Sequence, residues 1–289
     1  MSPVPVSMKP WTQELIEKLS VLQWVLTFLG MGIFCSILVI SLLFTRLWTL
    51  SVLYFTWLVL DWDSPENWSR PSKWIRGWSL WKHFSNYYPI KLVKTAELSP
   101  ERNYVFGCHP HGIMCAGAFS NFSTEGTGFS TMFPGIRPHL ATLAGMFKMP
   151  IYREYMMCAG ERQQTRKQTN THSRGMWSGE QPSLKYHLSQ NGSGNAVAIV
   201  IGGAAESLNC SPGHNSLVMR NRKGFVKLRF PVTDGVVAVG KPITVLKMVS
   251  PPDRVVDHYH RLYMQAVLDL FDRHKVACGL SEESQLEIL

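Results

Sequence analysis

The sequence predicts a membrane-embedded helical hairpin followed by an α/β domain, on three observations. The run from Val21 to Leu60 carries a single charge, Arg46. From about residue 100 onward, short β-branched apolar runs end in glycine-rich turns. Near the C-terminus a long stretch repeats apolar residues at three- and four-residue spacing.

The hairpin follows from length and charge. A spanning helix needs roughly 20 apolar residues, which Val21 to Phe44 supplies, whereas Leu47 to Leu60 is short and reads as a tilted or re-entrant second limb with Thr45 and Arg46 as hinge. A buried helix pair in a soluble core would carry a polar stripe, and this run has none. Glu14 and Glu17 precede it, unlike the short charged lead of a cleaved signal peptide. Arg70, Lys73, Arg76, Lys82, Lys91 and Lys94 crowd the exit, against Lys9 and Lys18 before it, so the positive-inside bias puts the bulk of the chain, and with two limbs both termini, in the cytosol. The sequons at Asn67, Asn121, Asn191 and Asn209 are then expected to stay unmodified. Trp62, Trp68, Trp74, Trp78 and Trp81 suit a segment at headgroup level. The expected divisions are a cytosolic segment 1–20, the hairpin 21–62, a membrane-proximal aromatic and basic segment 63–99, and a domain over 100–289.

Within that domain, Asn103 to Gly107, Asn195 to Gly203 and Gly235 to Val245 read as buried strands, because they are β-branched without strict alternation. A helix follows Pro251, Pro252 and Asp253, with Val255, Tyr259, Leu262, Tyr263, Ala266 and Leu270 as its apolar face. Strands alternating with helices make an α/β domain. Glu161 to Pro182 is polar and aperiodic and reads as an irregular insertion, a lid, linker or disordered segment.

Composition narrows the partners. A formal net charge of +9 favours an anionic one, whether nucleic acid, phospholipid or a phosphorylated small molecule. Six cysteines without a CxxC pair suggest neither a disulfide framework nor a zinc knuckle.

Cys108-His109-Pro110-His111-Gly112 directly follows the first apolar strand. In extended backbone His109 and His111 project to one side. Zinc would need further ligands at suitable spacing, which the neighbourhood lacks. Histidines held by backbone hydrogen bonds are one reading; a general base is the other, since imidazole titrates near neutrality. The chain has no G-x-S-x-G, H-E-x-x-H or G-x-x-x-x-G-K motif, which leaves transfer between two bound substrates. An activated thioester donor needs only a base that takes the acceptor's hydroxyl proton.

Three stretches, Phe106 to Gly160, Gly194 to Leu208 (GNAVAIVIGGAAESL) and Arg220 to Leu228 (RNRKGFVKL), together with the tail YHRLYMQAVLDLFDRHK, resemble the type 2 diacylglycerol acyltransferase family, which includes monoacylglycerol and wax-alcohol acyltransferases. The resemblance covers most of the chain and implies a glycerolipid-acyltransferase-like α/β domain. It also implies an enzyme of the endoplasmic-reticulum membrane and lipid droplet. The reaction implied moves an acyl group from acyl-CoA, a co-substrate, to a mono- or diacylglycerol or long-chain alcohol, with no cofactor or metal. Membrane lipid and homo- or hetero-oligomers with family members are the implied partners, and nucleic acid is not among them.

Roles implied by the resemblance fall on matching positions. One of His109 and His111 is the base, and Glu206, after the Gly202-Gly203 turn, orients or charge-stabilises it; the alternative for Glu206 is a helix N-terminal carboxylate favoured by the dipole. The His-x-x-x-x-Asp dyad of the broader glycerolipid acyltransferases is absent, since Met114 and Ala116 stand five residues on. Arg220, Arg222 and Lys223 grip CoA phosphates or face anionic headgroups. Arg153 is a candidate for the same work. Asn121 and Phe122 line an acyl or acceptor channel, or Phe122 is core.

Two departures from the family pattern stand out. Glu161 to Pro182 replaces a shorter, less polar connection. Between Leu228 and Val236, several dozen family residues have no counterpart, so the domain is expected to lack part of its C-terminal half. Strand edges and apolar faces would be uncovered there. A catalytically inactive family paralogue or isoform that binds lipid or a family partner is therefore the alternative to an active enzyme.

Overall fold

In the computed structural model, which describes residues 9–62, 64–67, 70–109, 114–164, 188, 192–208, 215–227, 236–238, 240–245, 248 and 251–289, the apolar run is helical from Trp11 onward. Helix α1 (Trp11–Leu26) passes through a π-helical turn (Thr27–Met31) into α2 (Gly32–Leu42). The combined stretch Trp11–Leu42 is long and apolar enough to cross a membrane, with a mean hydropathy of 2.4 in its most apolar window. Turns over residues 43–47 lead into α3 (Trp48–Leu60), which folds back so that Ser51 Oγ donates to Val39 O at 2.8 Å.

The expected boundary between 20 and 21 falls inside α1. The polar residues before Val21 continue the helix because they have partners of their own. Glu17 is buried and paired with Lys9 at 2.7 Å, and Trp24 packs with Trp81, Phe84 and Phe119, the first two from α4 (Ser79–Tyr87). Arg76, one of the cations that crowd the membrane exit, is buried. Its Nη1 donates to Phe122 O at 3.0 Å and Ala159 O at 2.8 Å, tying the 70s segment to the domain.

The domain is built on β1 (Tyr104–Cys108), β2 (Arg137–Leu143), β3 (Glu161–Gln164), β4 (Asn195–Val200), β6 (Val236–Ala238) and β7 (Pro242–Thr244), in the order β3-β2-β4-β1-β6-β7 among the described residues. All neighbours are parallel except β6 and β7. A separate parallel pair joins β5 (Ser216–Leu217) to β8 (Glu287–Ile288). Helices α5 (Tyr152–Cys158), α6 (Gly203–Leu208) and α7 (Asp253–His274) complete what positions the site.

Three expectations are corrected, and one strand not expected is present. The single strand Gly235 to Val245 is two, β6 and β7, paired antiparallel around the turn at Gly240 and Lys241. β2 escaped the pattern because Pro138 and His139 interrupt its apolar run. The irregular stretch does not begin at Glu161: Glu161–Gln164 pairs with β2, and residues 165–182 lie outside the described set. The buried face of α7 is Val256, His260, Tyr263 and Val267, with Val255 and Tyr259 packed beside it, while Leu262 is exposed.

Strand alternation divides the core. Val105 of β1 and Val197 and Ile199 of β4 face a cluster with Tyr263, Val267 and Phe225. Tyr104, Phe106, Ala196 and Ala198 face the other way, toward Phe129 and Leu140.

Candidate active site

β1 and β4 lie side by side in register, Cys108 opposite Val200. From their C-terminal ends the chain departs in opposite directions, β1 toward β2 and β4 toward β6 across β1. Open α/β sheets bind ligands outside the carboxyl ends of their strands. His109 is the first residue after β1, and Glu206 sits on α6, directly after the bend that ends β4. His109 continues the alternation of Val105 and Gly107, so its ring faces α7.

His109 Nδ1 lies 3.4 Å from Glu206 Oε2, and both side chains are buried, at 4% and 0% exposure. Glu206 Oε2 also accepts from Val218 N at 3.2 Å. A carboxylate on Nδ1 favours the tautomer with its proton there and leaves Nε2 as acceptor. His109 Nε2 is buried without a hydrogen-bond partner among the described residues.

Two glycines make room for this arrangement. A Cβ on Gly202 would stand 2.1 Å from Glu206 Oε2. One on Gly107 would stand 1.7 Å from the Tyr263 hydroxyl. The Tyr263 ring is 6.2 Å from that of His109 at 61° and 4.7 Å from that of Phe225.

Cys108 is no nucleophile. Burial, with Cys115 and Glu206 adding to it, pushes its thiol up to about 12, and Cys115 is pushed up to about 11 by burial and the carboxyls of Glu161 and Glu206. Both stay protonated near neutrality, and the thiolate is the reactive form.

The segment over Glu206 is held from two sides. β8 pairs with β5, Met219 N and Arg220 N donate to Leu289 O at 3.0 and 2.8 Å, and His260 Nε2 meets Met219 O at 3.1 Å.

The other expected site residues divide. Arg222 lines a shallow cleft with Ile199, Ile201, Gly224 and Phe225, and is linked toward the site only through Phe225, whose ring lies 4.7 Å from that of Tyr263. Lys223 forms an ion pair with Asp257 at 2.7 Å, and Arg220 Nη2 donates to Ile288 O at 3.0 Å; both brace the segment. Arg153 is not brought to the site. It is fully buried and donates from Nη2 to Asp61 O at 2.6 Å and Oδ2 at 2.9 Å, because α5 runs beside the end of α3. Phe122 packs at 5.5 Å on Phe106 and 5.8 Å on Phe129, on the face of the sheet opposite His109. Asn121 Nδ2 donates to Gly117 O at 2.9 Å, which closes its own turn. His111 lies outside the described residues. Sequence reasoning took Tyr263 for core alone and missed Gly107; the helical period marked Tyr263 as inward, but nothing local showed which residues it meets.

A family model described as Diacylglycerol acyltransferase matches residues 40–237 and 229–289. The chain is 41% identical over 335 residues to "Diacylglycerol O-acyltransferase 2" of Danio rerio, covering 94% of this chain and 89% of that protein. It is 41% identical over 338 residues to the Homo sapiens protein of the same name, covering 96% and 83%. Identity is 38% over 350 residues to "2-acylglycerol O-acyltransferase 3" of Homo sapiens, covering 99% and 97%. These alignments are longer than the chain's 289 residues, so each relative carries residues with no counterpart here. The two family matches meet at 229–237. No solved structure matches the chain.

Proposed function

The chain belongs to the diacylglycerol acyltransferase family, and from that premise we propose that it is an acyl-CoA:acylglycerol O-acyltransferase of a membrane surface. The observation that carries the reading is the buried His109–Glu206 pair at the ends of β1 and β4, within residues matched by the family model.

Glu206 holds the His109 ring and its Nδ1 proton. Nε2 takes the proton of the acceptor hydroxyl as that oxygen attacks the thioester carbonyl carbon. The tetrahedral intermediate collapses with cleavage of the C–S bond, and the imidazolium returns the proton to the departing CoA sulfur. No covalent enzyme intermediate is needed. Arg222 meets the phosphates of CoA by charge-assisted bonds, with Arg220 and Lys223 as secondary cations. A long-chain alcohol would fit the same chemistry as the acylglycerol.

The α1–α2 stretch and α3 form the membrane hairpin, with the α/β domain on the cytosolic side of the endoplasmic reticulum or on a lipid droplet. Endoglycosidase-insensitive mobility of the expressed chain is the expected sign of that topology.

The purified chain in lipid micelles with radiolabelled acyl-CoA and a panel of mono- and diacylglycerols and fatty alcohols tests the reading. Labelled ester is expected, falling about 10²- to 10⁴-fold in His109→Ala. A second reading, an inactive scaffold that binds lipid or a family member, is favoured by the two-piece family match. It predicts no ester from the chain as it stands, and ester once a family-length segment is inserted at 229–237.

A further inference from the structure

Two buried polar atoms beside the sheet end lack partners among the described residues: His109 Nε2 and the Tyr263 hydroxyl. Their ring centroids lie 6.2 Å apart. Buried polar groups are nearly always hydrogen-bonded, and an exception calls for a cause. Here two exceptions share one place.

The sequence has gone to some length to put the hydroxyl there. Tyr263 is 1% exposed and sits on the inward face of α7, backed by Phe225 at 4.7 Å. Any side chain at Gly107 would strike the oxygen, since a Cβ would stand 1.7 Å from it. A phenylalanine at 263 would fill the same space without an unsatisfied oxygen. Burial, reinforced by Cys108 and Glu206, raises the hydroxyl well above its ordinary 10, so it remains a neutral O–H donor wherever His109 can act as a base.

The pairing has a chemical sense. In the tautomer that Glu206 favours, His109 Nε2 accepts a proton, and the neutral Tyr263 hydroxyl has a hydrogen to give. One substrate complex satisfies both: a hydroxyl whose proton points at Nε2, and a carbonyl oxygen that gains charge as the hydroxyl attacks.

We propose that Tyr263 is a catalytic residue whose O–H donates to the thioester carbonyl oxygen of the acyl donor and holds the oxyanion of the tetrahedral intermediate. The inference rests on the acyltransferase reading. As the acceptor oxygen bonds to the carbonyl carbon, the C=O π pair moves to oxygen and is met by the Tyr263 O–H. On collapse that pair re-forms C=O, the C–S bond pair leaves on sulfur, and the proton held by His109 follows it. Tyr263 ends unchanged. A donor of this kind acts on charge that develops only in the transition state.

Tyr263→Phe is expected to lower kcat about 10²- to 10³-fold with KM for acyl-CoA within about threefold. Its pH–rate profile should keep the shape of the unaltered protein, whereas a tyrosine that merely positions His109 would shift the inflection. The thermal midpoint should stay level or rise, because the lost oxygen has no partner among the described residues. A second measurement does not depend on turnover. In His109→Ala protein loaded with acyl-CoA carrying a ¹³C carbonyl, the C=O stretch should lie below its free value and return toward it in His109→Ala/Tyr263→Phe. Wild-type kcat in Tyr263→Phe, or a stretch that is the same in the two loaded proteins, would overturn the assignment even where acyl transfer itself is observed. Failure of ester formation in every protein, with the carbonyl still polarised by Tyr263, would instead count against the transferase reading and for the donor.

Discussion

Arg153 and Asp61 form a fully buried contact between α5 and the end of the second apolar helix: the guanidinium donates to the Asp61 carboxylate at 2.9 Å and to its carbonyl at 2.6 Å. Beside it, Tyr54 of α3 donates to Glu154 Oε2 at 2.9 Å and accepts from Ile151 N at 2.6 Å. The hairpin is thus fastened to the α/β domain by polar groups. Asp61 also pairs with Arg70, and Arg153 Nε with Glu154 at 3.4 Å, so removing Asp61 leaves Arg153 a second carboxylate and costs less than the ~3–5 kcal/mol of a fully stranded buried charge. Asp61→Ala should lower the unfolding free energy in micelles by up to about 3 kcal/mol, and Tyr54→Phe by about 1 kcal/mol. The double variant Asp61→Ala/Arg153→Ala should lose less than the sum of its singles; strict additivity would show that the contact contributes nothing.

Glu161 predicts a stability that falls with rising pH. Burial pushes its carboxyl up from 4.5 to about 8, against hydrogen bonds from Ser123 and Thr142 and the Arg76 charge. The folded chain keeps the proton up to about pH 8, whereas the unfolded chain releases it near 4.5, so this contribution is complete below 4.5 and lost as pH rises through 8. Glu161→Gln should raise the unfolding free energy at pH 8 by up to a few kcal/mol, at ~1.4 kcal/mol per pH unit of separation, and change it little near pH 5. An equal gain at both pH values would remove Glu161 as the source.

Gly202→Ala tests the His109–Glu206 contact without touching either residue. The methyl would stand 2.1 Å from Glu206 Oε2 and 2.4 Å from its Cβ, so the carboxylate has to leave the imidazole. Acyl transfer should fall about 10²-fold, the low end for loss of a positioned base, while circular dichroism keeps its helical signal. Gly145→Ala, where a Cβ meets nothing within 4 Å, serves as control and should keep full activity.

The face of α7 gives a stability contrast. Val256 is 1% exposed and Leu262 42%. Val256→Asp buries an unpaired charge and should destabilise by several kcal/mol, whereas Leu262→Asp should stay within about 0.5 kcal/mol of the unaltered chain. Urea unfolding in micelles would distinguish them, and the reverse order would restore the face read from spacing alone.

Features that depend on local pattern were legible before folding. An uninterrupted apolar run requires its backbone to be satisfied internally and so is helical, and the turn near Thr45 was readable from one charge. β1 and β4 were legible because strands covered on both faces are continuous and β-branched. The position of His109 at a strand mouth followed from where β1 ends. Other features depend on which elements meet. β2 and β3 pair only because β4 stands beside β2, and local composition, with Pro138 in one and four polar residues in the other, argues against both. Arg76 read as one of the cations at the membrane exit and Arg153 as a candidate for CoA phosphates, because a guanidinium ordinarily meets an anion or water; each found buried oxygens supplied from far along the chain. Glu206 reached His109, and Tyr263 came to stand over Gly107, through the register of β1 on β4 and the packing of α7 across them. Register and packing are settled by burial of whole faces at once, which no window of sequence contains.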